Sequence, residues 1–204
     1  MFKSASSRMM LIALSVLLAM SLVAMGTLAF KSANSAQSFS NQQVGGPIEL
    51  ASTQGDFSLT QLGEHQIAVV TFGYTYCPDV CPMNQAVKKQ ALSELTEEER
   101  NRIVPLMISV DPERDSLERL QEYTDFFGER FIGATGTQQE LEELANRYGV
   151  IWRRVEADNS VMGYTIDHSA SLYLVNREGD ILQQVPYSSS PENLVSALNH
   201  FLDD

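Results

Sequence analysis

Hydrophobic and polar positions divide the chain into three zones. From Met9 to Phe30 the residues read MMLIALSVLLAMSLVAMGTLAF, with no charged side chain. As a helix rising about 1.5 Å per residue, this run is roughly 33 Å long, enough to cross a hydrocarbon core of about 30 Å. Lys3 and Arg8 precede it, which predicts residues 1–8 in the cytoplasm, 9–30 as a transmembrane anchor and the remainder outside. A cleaved signal peptide is the alternative, but its apolar region usually spans about 7–15 residues, and Ala33-Asn34-Ser35-Ala36 is a poor cleavage site. The uninterrupted, arginine-poor run also argues against a mitochondrial transit peptide. Residues 31–46 (KSANSAQSFSNQQVGG) show no hydrophobic period and predict a flexible tether, leaving 47–204 for one exported domain.

Within that domain the pattern switches between two periods. Gln66 to Tyr74 (QIAVVTFGY) and Ile103 to Val110 (IVPLMISV) are near-continuous apolar runs, which predict buried strands. Pro82 to Leu95, Ser116 to Phe127 and Thr137 to Tyr148 carry apolar residues at helical spacing, the last opening on a Thr-x-x-Glu capping box that ends at Glu140. Ile151 to Val155 predicts a strand. Ser171 to Val175 and Ile181 to Val185, separated by Arg177-Glu178-Gly179-Asp180, predict an antiparallel hairpin before a final helix begun at Ser190-Pro191. Strands alternating with helices, then a hairpin and a helix, describe an α/β sandwich around a mixed sheet.

Charge narrows the partners. All 26 acidic residues follow Gly46, whereas Lys3, Arg8 and Lys31 of the 14 basic ones precede it, so the exported part carries about −15. Nucleic acid is excluded as a partner, since phosphate neutralisation needs a basic surface. A cation or a modestly basic protein fits better.

Both cysteines lie in YTYCPDVCPMNQ, Cys77 and Cys81, each followed by proline. A disulfide between them closes so short a loop that it adds little stability. The motif sits between a predicted strand and the helix opening at Pro82, the edge where α/β sheets usually bind ligands. With Pro82 in the first turn, Cys81 is expected as the N-cap and Cys77 in the approach loop. The helix N-terminus favours thiolates, the form that attacks disulfides and binds soft metals such as Cu(I) or Zn(II). A mononuclear site needs a further ligand. Met83 lies nearby, but its helical spacing points to core packing. His65 reads as a surface turn residue and His200 as an exposed helix residue. His168, in Asp167-His168-Ser169 ahead of a strand, reads from its neighbours alone as a surface or capping residue.

Three blocks change that reading. FGYTYCPDVCP (72–82), SVDPERD (109–115) and DHSASLYLV (167–175), in this order and at this spacing, resemble the hallmarks of the SCO/SenC family. These are membrane-anchored, thioredoxin-like copper chaperones of cytochrome c oxidase assembly. The resemblance spans about Phe57 to Leu202. It implies a thioredoxin-like sandwich and a copper site, most readily Cu(I), formed by Cys77, Cys81 and His168. Asp79 and Asp167 become candidates for supporting that site from outside, while Asp111-Pro112 reads as a structural turn. The implied client is the binuclear copper site of cytochrome c oxidase subunit II or another exported copper protein. With the anchor, the expected location is a bacterial inner membrane, spanned once, with the C-terminal domain in the periplasm. A second activity remains open: Cys77 and Cys81 as a redox-active pair that reduces the acceptor's cysteines. Thioredoxin-type oxidoreductases carry a proline opposite the pair, and no proline occurs here between Pro112 and Pro186. A third reading, a peroxiredoxin-like peroxidase, requires turnover of hydrogen peroxide.

Overall fold

A computed structural model describes residues 44–156 and 163–202. The expected cytoplasmic N-terminus, the anchor and all but the end of the tether lie outside the described residues. Among the described residues no helix is long and apolar enough to cross a membrane.

The domain opens with a hairpin of β1 (Glu49–Ser52) and β2 (Gly55–Ser58). Then come β3 (Ile67–Gly73), α1 (Val80–Glu94), the short α2 (Glu97–Asn101) and β4 (Ile103–Ser109). Next are α3 (Leu117–Asp125), β5 (Ile132–Thr135) and α4 (Gln138–Arg147). A ribbon of β6 (Trp152–Glu156) and β7 (Tyr164–His168) precedes β8 (Leu172–Val175), β9 (Ile181–Val185) and α5 (Glu192–Leu202). Seven strands form one sheet in the order β2-β1-β5-β4-β3-β8-β9, while among the described residues β6 and β7 pair only with each other. β3, β4 and β5 run parallel, and β8 lies antiparallel to β3. The sheet is therefore mixed, as its pattern predicts.

All seven residues of β3 are buried. Its alternate side chains feed two cores: Ala68, Val70 and Phe72, with Tyr74 just beyond the strand, pack with Leu141 and Leu144 of α4, and Ile67 and Val69 pack with Val87 and Ala91 of α1 and Leu198 of α5. At about 1.5–3 kcal/mol per fully buried aliphatic side chain, the central strands are the firmest part of the molecule. The β8–β9 hairpin forms as expected. In its turn Asn176 Oδ1 accepts from the N–H groups of Glu178 (3.1 Å) and Asp180 (2.8 Å), and Gly179 takes φ +89°, a region glycine enters without strain.

One boundary differs in a way that matters for the thiols. α1 begins at Val80, with Asp79 at the cap position making no side-chain cap bond. Pro82 is the third helical residue, still within the turn whose N–H groups have no intrahelical partner. Cys81 thus lies inside the first turn and is not the N-cap.

Candidate metal centre

The two cysteines are placed by different means. Cys81 rides on α1 and is 2% exposed, packed against the end of β3. Its sulfur fills the space a side chain would need at Gly73: a Cβ there would stand 2.8 Å from Cys81 Sγ. Cys77 is half-buried in the loop before the helix, and its Sγ accepts from Cys81 N–H at 3.4 Å. A sulfur therefore does what an N-cap oxygen usually does, satisfying an orphan donor at the positive end of the helix. Cys81 also donates its S–H toward Cys77. That hydrogen bond, opposed by partial burial and assisted by the N–H groups of Asp79 and Cys81, pulls Cys77 down to about 4. The same bond, followed by burial, pushes Cys81 far up. The free pair is one accessible thiolate backed by one buried thiol.

His168 comes from the last position of β7, 87 residues beyond Cys81. Its Nε2 stands 3.1 Å from Cys81 Sγ. Its Nδ1 lies 3.0 Å from the carbonyl oxygen of Ser169. A carbonyl only accepts, so Nδ1 carries the proton and the Nε2 lone pair is free to face the sulfurs. The ring meets Tyr74 edge to face, with centroids 5.9 Å apart at 83°. Asn84 Nδ2 of α1 donates to Ala170 O at 2.9 Å, tying the thiol-bearing helix to the segment after the histidine.

Cys77 Sγ, Cys81 Sγ and a His168 nitrogen all lie within 4.8 Å of one another. Metal–sulfur bonds of about 2.3 Å and metal–nitrogen bonds of about 2.0 Å let one ion reach all three donors after a small inward movement. Two soft sulfurs and an imidazole with a fixed tautomer suit copper or zinc.

Comparison with known proteins decides the family. A model described as SCO1/SenC matches residues 36–203. The chain belongs to the SCO1/SenC family. A SCO2-like protein of Rickettsia conorii is 31% identical over 160 residues, covering 78% of each chain. The copper-bound ScoI of Arabidopsis thaliana matches with a TM-score of 0.71 at 29% identity, over 78% of this chain and 98% of that one. Copper-bound yeast Sco1 gives 0.67 at 28% identity, over 79% and 90%. The mixed sheet and its flanking helices share the thioredoxin-like SCO fold.

The remaining expected residues are dispersed. Asp79 is exposed and contributes its N–H, not its carboxylate, to Cys77. The Asp167 carboxylate meets Arg153 at 3.2 Å, so the group orienting the imidazole is the Ser169 carbonyl. His65 and His200 are exposed on other elements, as expected. Sequence reasoning passed over Gly73, whose missing side chain makes room for Cys81, and over Arg114, which the SVDPERD block contains. The only signal for either was membership of a hallmark block.

Proposed function

We propose that this protein is a copper chaperone. It holds Cu(I) on Cys77, Cys81 and His168 and delivers it to the binuclear copper site in subunit II of cytochrome c oxidase. The observation that carries this reading is the convergence of the three donors, with the Nε2 lone pair already facing the thiol pair. The copper-bound relatives support the choice of metal. Loading requires Cys81 to give up its proton, since a ligating sulfur binds as thiolate. Three protein donors leave the metal open on the side of half-exposed Cys77, where an acceptor thiolate can enter. An N-terminal anchor in a bacterial inner membrane, with this domain in the periplasm, would hold donor and acceptor on one surface and raise their effective concentration.

The depressed thiolate of Cys77 beside the buried thiol of Cys81 favours a second reading, reduction of the acceptor's cysteines. Here the Cys77 thiolate attacks an acceptor disulfide and the Cys81 thiol resolves the mixed disulfide. His168→Ala separates the two. Cu(I) affinity, measured by competition with a chromophoric chelator, is expected to fall at least about tenfold, or about 1.4 kcal/mol, while dithiol exchange persists. A variant that keeps one equivalent of Cu(I) at unchanged affinity rules out the imidazole as a ligand.

A further inference from the structure

His168 reaches the sulfurs from a ribbon that shares no strand pairing with the main sheet among the described residues. The sheet reaches the imidazole only through the three residues that join His168 to Leu172 of β8, so side chains must complete its placement. At the far end of β7, Tyr164 is buried, and its ring lies between two guanidinium groups, Arg114 at 3.5 Å and Arg154 at 3.6 Å from its centroid. Its hydroxyl donates to Asp111 Oδ1 at 2.7 Å, and its carbonyl accepts from Arg114 Nη1 at 3.0 Å. The other Asp111 oxygen is taken by Arg114 Nε. Midway along the strand, Ile166 N–H donates to the hydroxyl of Tyr74 (3.2 Å), whose ring faces both Arg114 and the imidazole.

We propose that Arg114, acting with Asp111 and Tyr164, is a positioning residue for His168: it fastens the ribbon to the loop after β4 and so presents the imidazole to the thiols. The proposal rests on the copper reading above. Surface ion pairs are worth little, but this one is not at the surface: Asp111 is 3% exposed and the Arg114 side chain 16%. Arg114 bonds the strand's backbone and its tyrosine ring together, a fork that lysine cannot reproduce. The SVDPERD block thereby acquires a role at the metal centre without touching it.

The test uses full-length protein in detergent, with folding checked by circular dichroism. In Arg114→Ala the Cys pair is retained but the imidazole is lost. X-ray absorption should show the imidazole scattering disappear, and Cu(I) affinity should fall roughly 10–100-fold, as for other groups that orient a ligand. Arg114→Lys is expected not to restore it. The deciding measurement is the double variant Arg114→Ala/His168→Ala, which should bind Cu(I) no more weakly than His168→Ala alone, because both remove the same ligand. Losses that multiply, or an Arg114→Ala protein with intact imidazole scattering and unchanged affinity, overturn the proposal. If Arg114→Ala does not fold, Tyr164→Phe carries the same cycle with a smaller loss, and additivity overturns the proposal there too. A wild-type protein that takes up no Cu(I) refutes the copper reading itself, and the positioning role with it; wild-type binding with insensitive variants refutes the positioning role alone.

Discussion

The two halves of the centre are built from different materials. The thiol half sits on the central strand and the first turn of α1, where every β3 residue is buried and Cys81 is 2% exposed. The imidazole half sits on a two-stranded ribbon that reaches the core through Tyr164 and Ile166 of β7: β6 has no fully buried residue, and neighbouring Ile151 is 78% exposed. A sulfur locked between backbone and helix cannot move without disturbing the core. A histidine at the end of a side-chain-tethered ribbon can. On the copper reading, retention belongs to the fixed sulfur of Cys81 and release to the adjustable arm, so perturbations of the two halves should have different signatures.

The largest effect is expected from tightening the fixed half. In Gly73→Ala, the added Cβ meets Cys81 Sγ at 2.8 Å and Met107 Cε at 3.5 Å, with the strand backbone unable to retreat. The sulfur has to rotate out of the three-donor arrangement or the helix has to lift. Overpacking of this kind costs about 1–3 kcal/mol. The variant should unfold at lower urea concentration and also lose Cu(I) affinity, a coupling that ribbon variants such as His168→Ala should not show. An unchanged urea midpoint with wild-type affinity would mean the thiol half is as compliant as the ribbon.

The next effect tests what stabilises α1 from beneath. Lys88 is wholly buried, and its Nζ donates to two neutral oxygens, Thr71 Oγ1 and Leu106 O, both at 2.8 Å. Burial lowers its pKa well below 10.5. Between that depressed value and 10.5 the unfolded chain binds more protons than the folded one, so wild-type stability falls as pH falls through the window. The slope is about 1.4 kcal/mol per pH unit. Lys88→Met removes this penalty. The difference between the two urea midpoints should therefore be constant above pH 10.5 and move in the variant's favour as pH drops through the window. A constant gap across the window would mean Lys88 keeps its proton in the core.

How much of this was readable depended on how far each signal reaches along the chain. The buried strands β3 and β4, helices α1, α3 and α4 and the β8–β9 hairpin declare themselves through continuous runs, a 3.6 period or a turn, all local. The Thr137–Glu140 capping box forms as read, whereas the same box at Thr96–Glu99 went unread because the five-residue α2 buries nothing and leaves no period. β1, β2 and β5, four residues each, are too short to show a pattern, and β5 contains Gly133. Pro82 marked the first turn of α1 and not its boundary, since proline is tolerated wherever an N–H would be orphaned. The thiol half was legible from spacing alone. His168 was not, because nothing local links it to a sulfur 87 residues away, and family resemblance supplied the connection. The carbonyl that sets its tautomer is invisible in principle, since every residue has one.

The smallest effect is expected on the outer face of the ribbon, and it tests how adjustable that half is. Asp167 adjoins the histidine, yet its carboxylate pairs with Arg153 where both side chains are mostly exposed, at 67% and 76%. Such a pair is screened by salt and contributes little, and the imidazole already has its backbone acceptor. Asp167→Asn should therefore leave Cu(I) affinity within about a factor of two of wild type, with imidazole scattering intact. A loss of tenfold or more would require the carboxylate to leave Arg153 and reach the ring in the loaded protein. The ribbon would then rearrange as copper enters, and Ser169 would set the tautomer only in the empty arm.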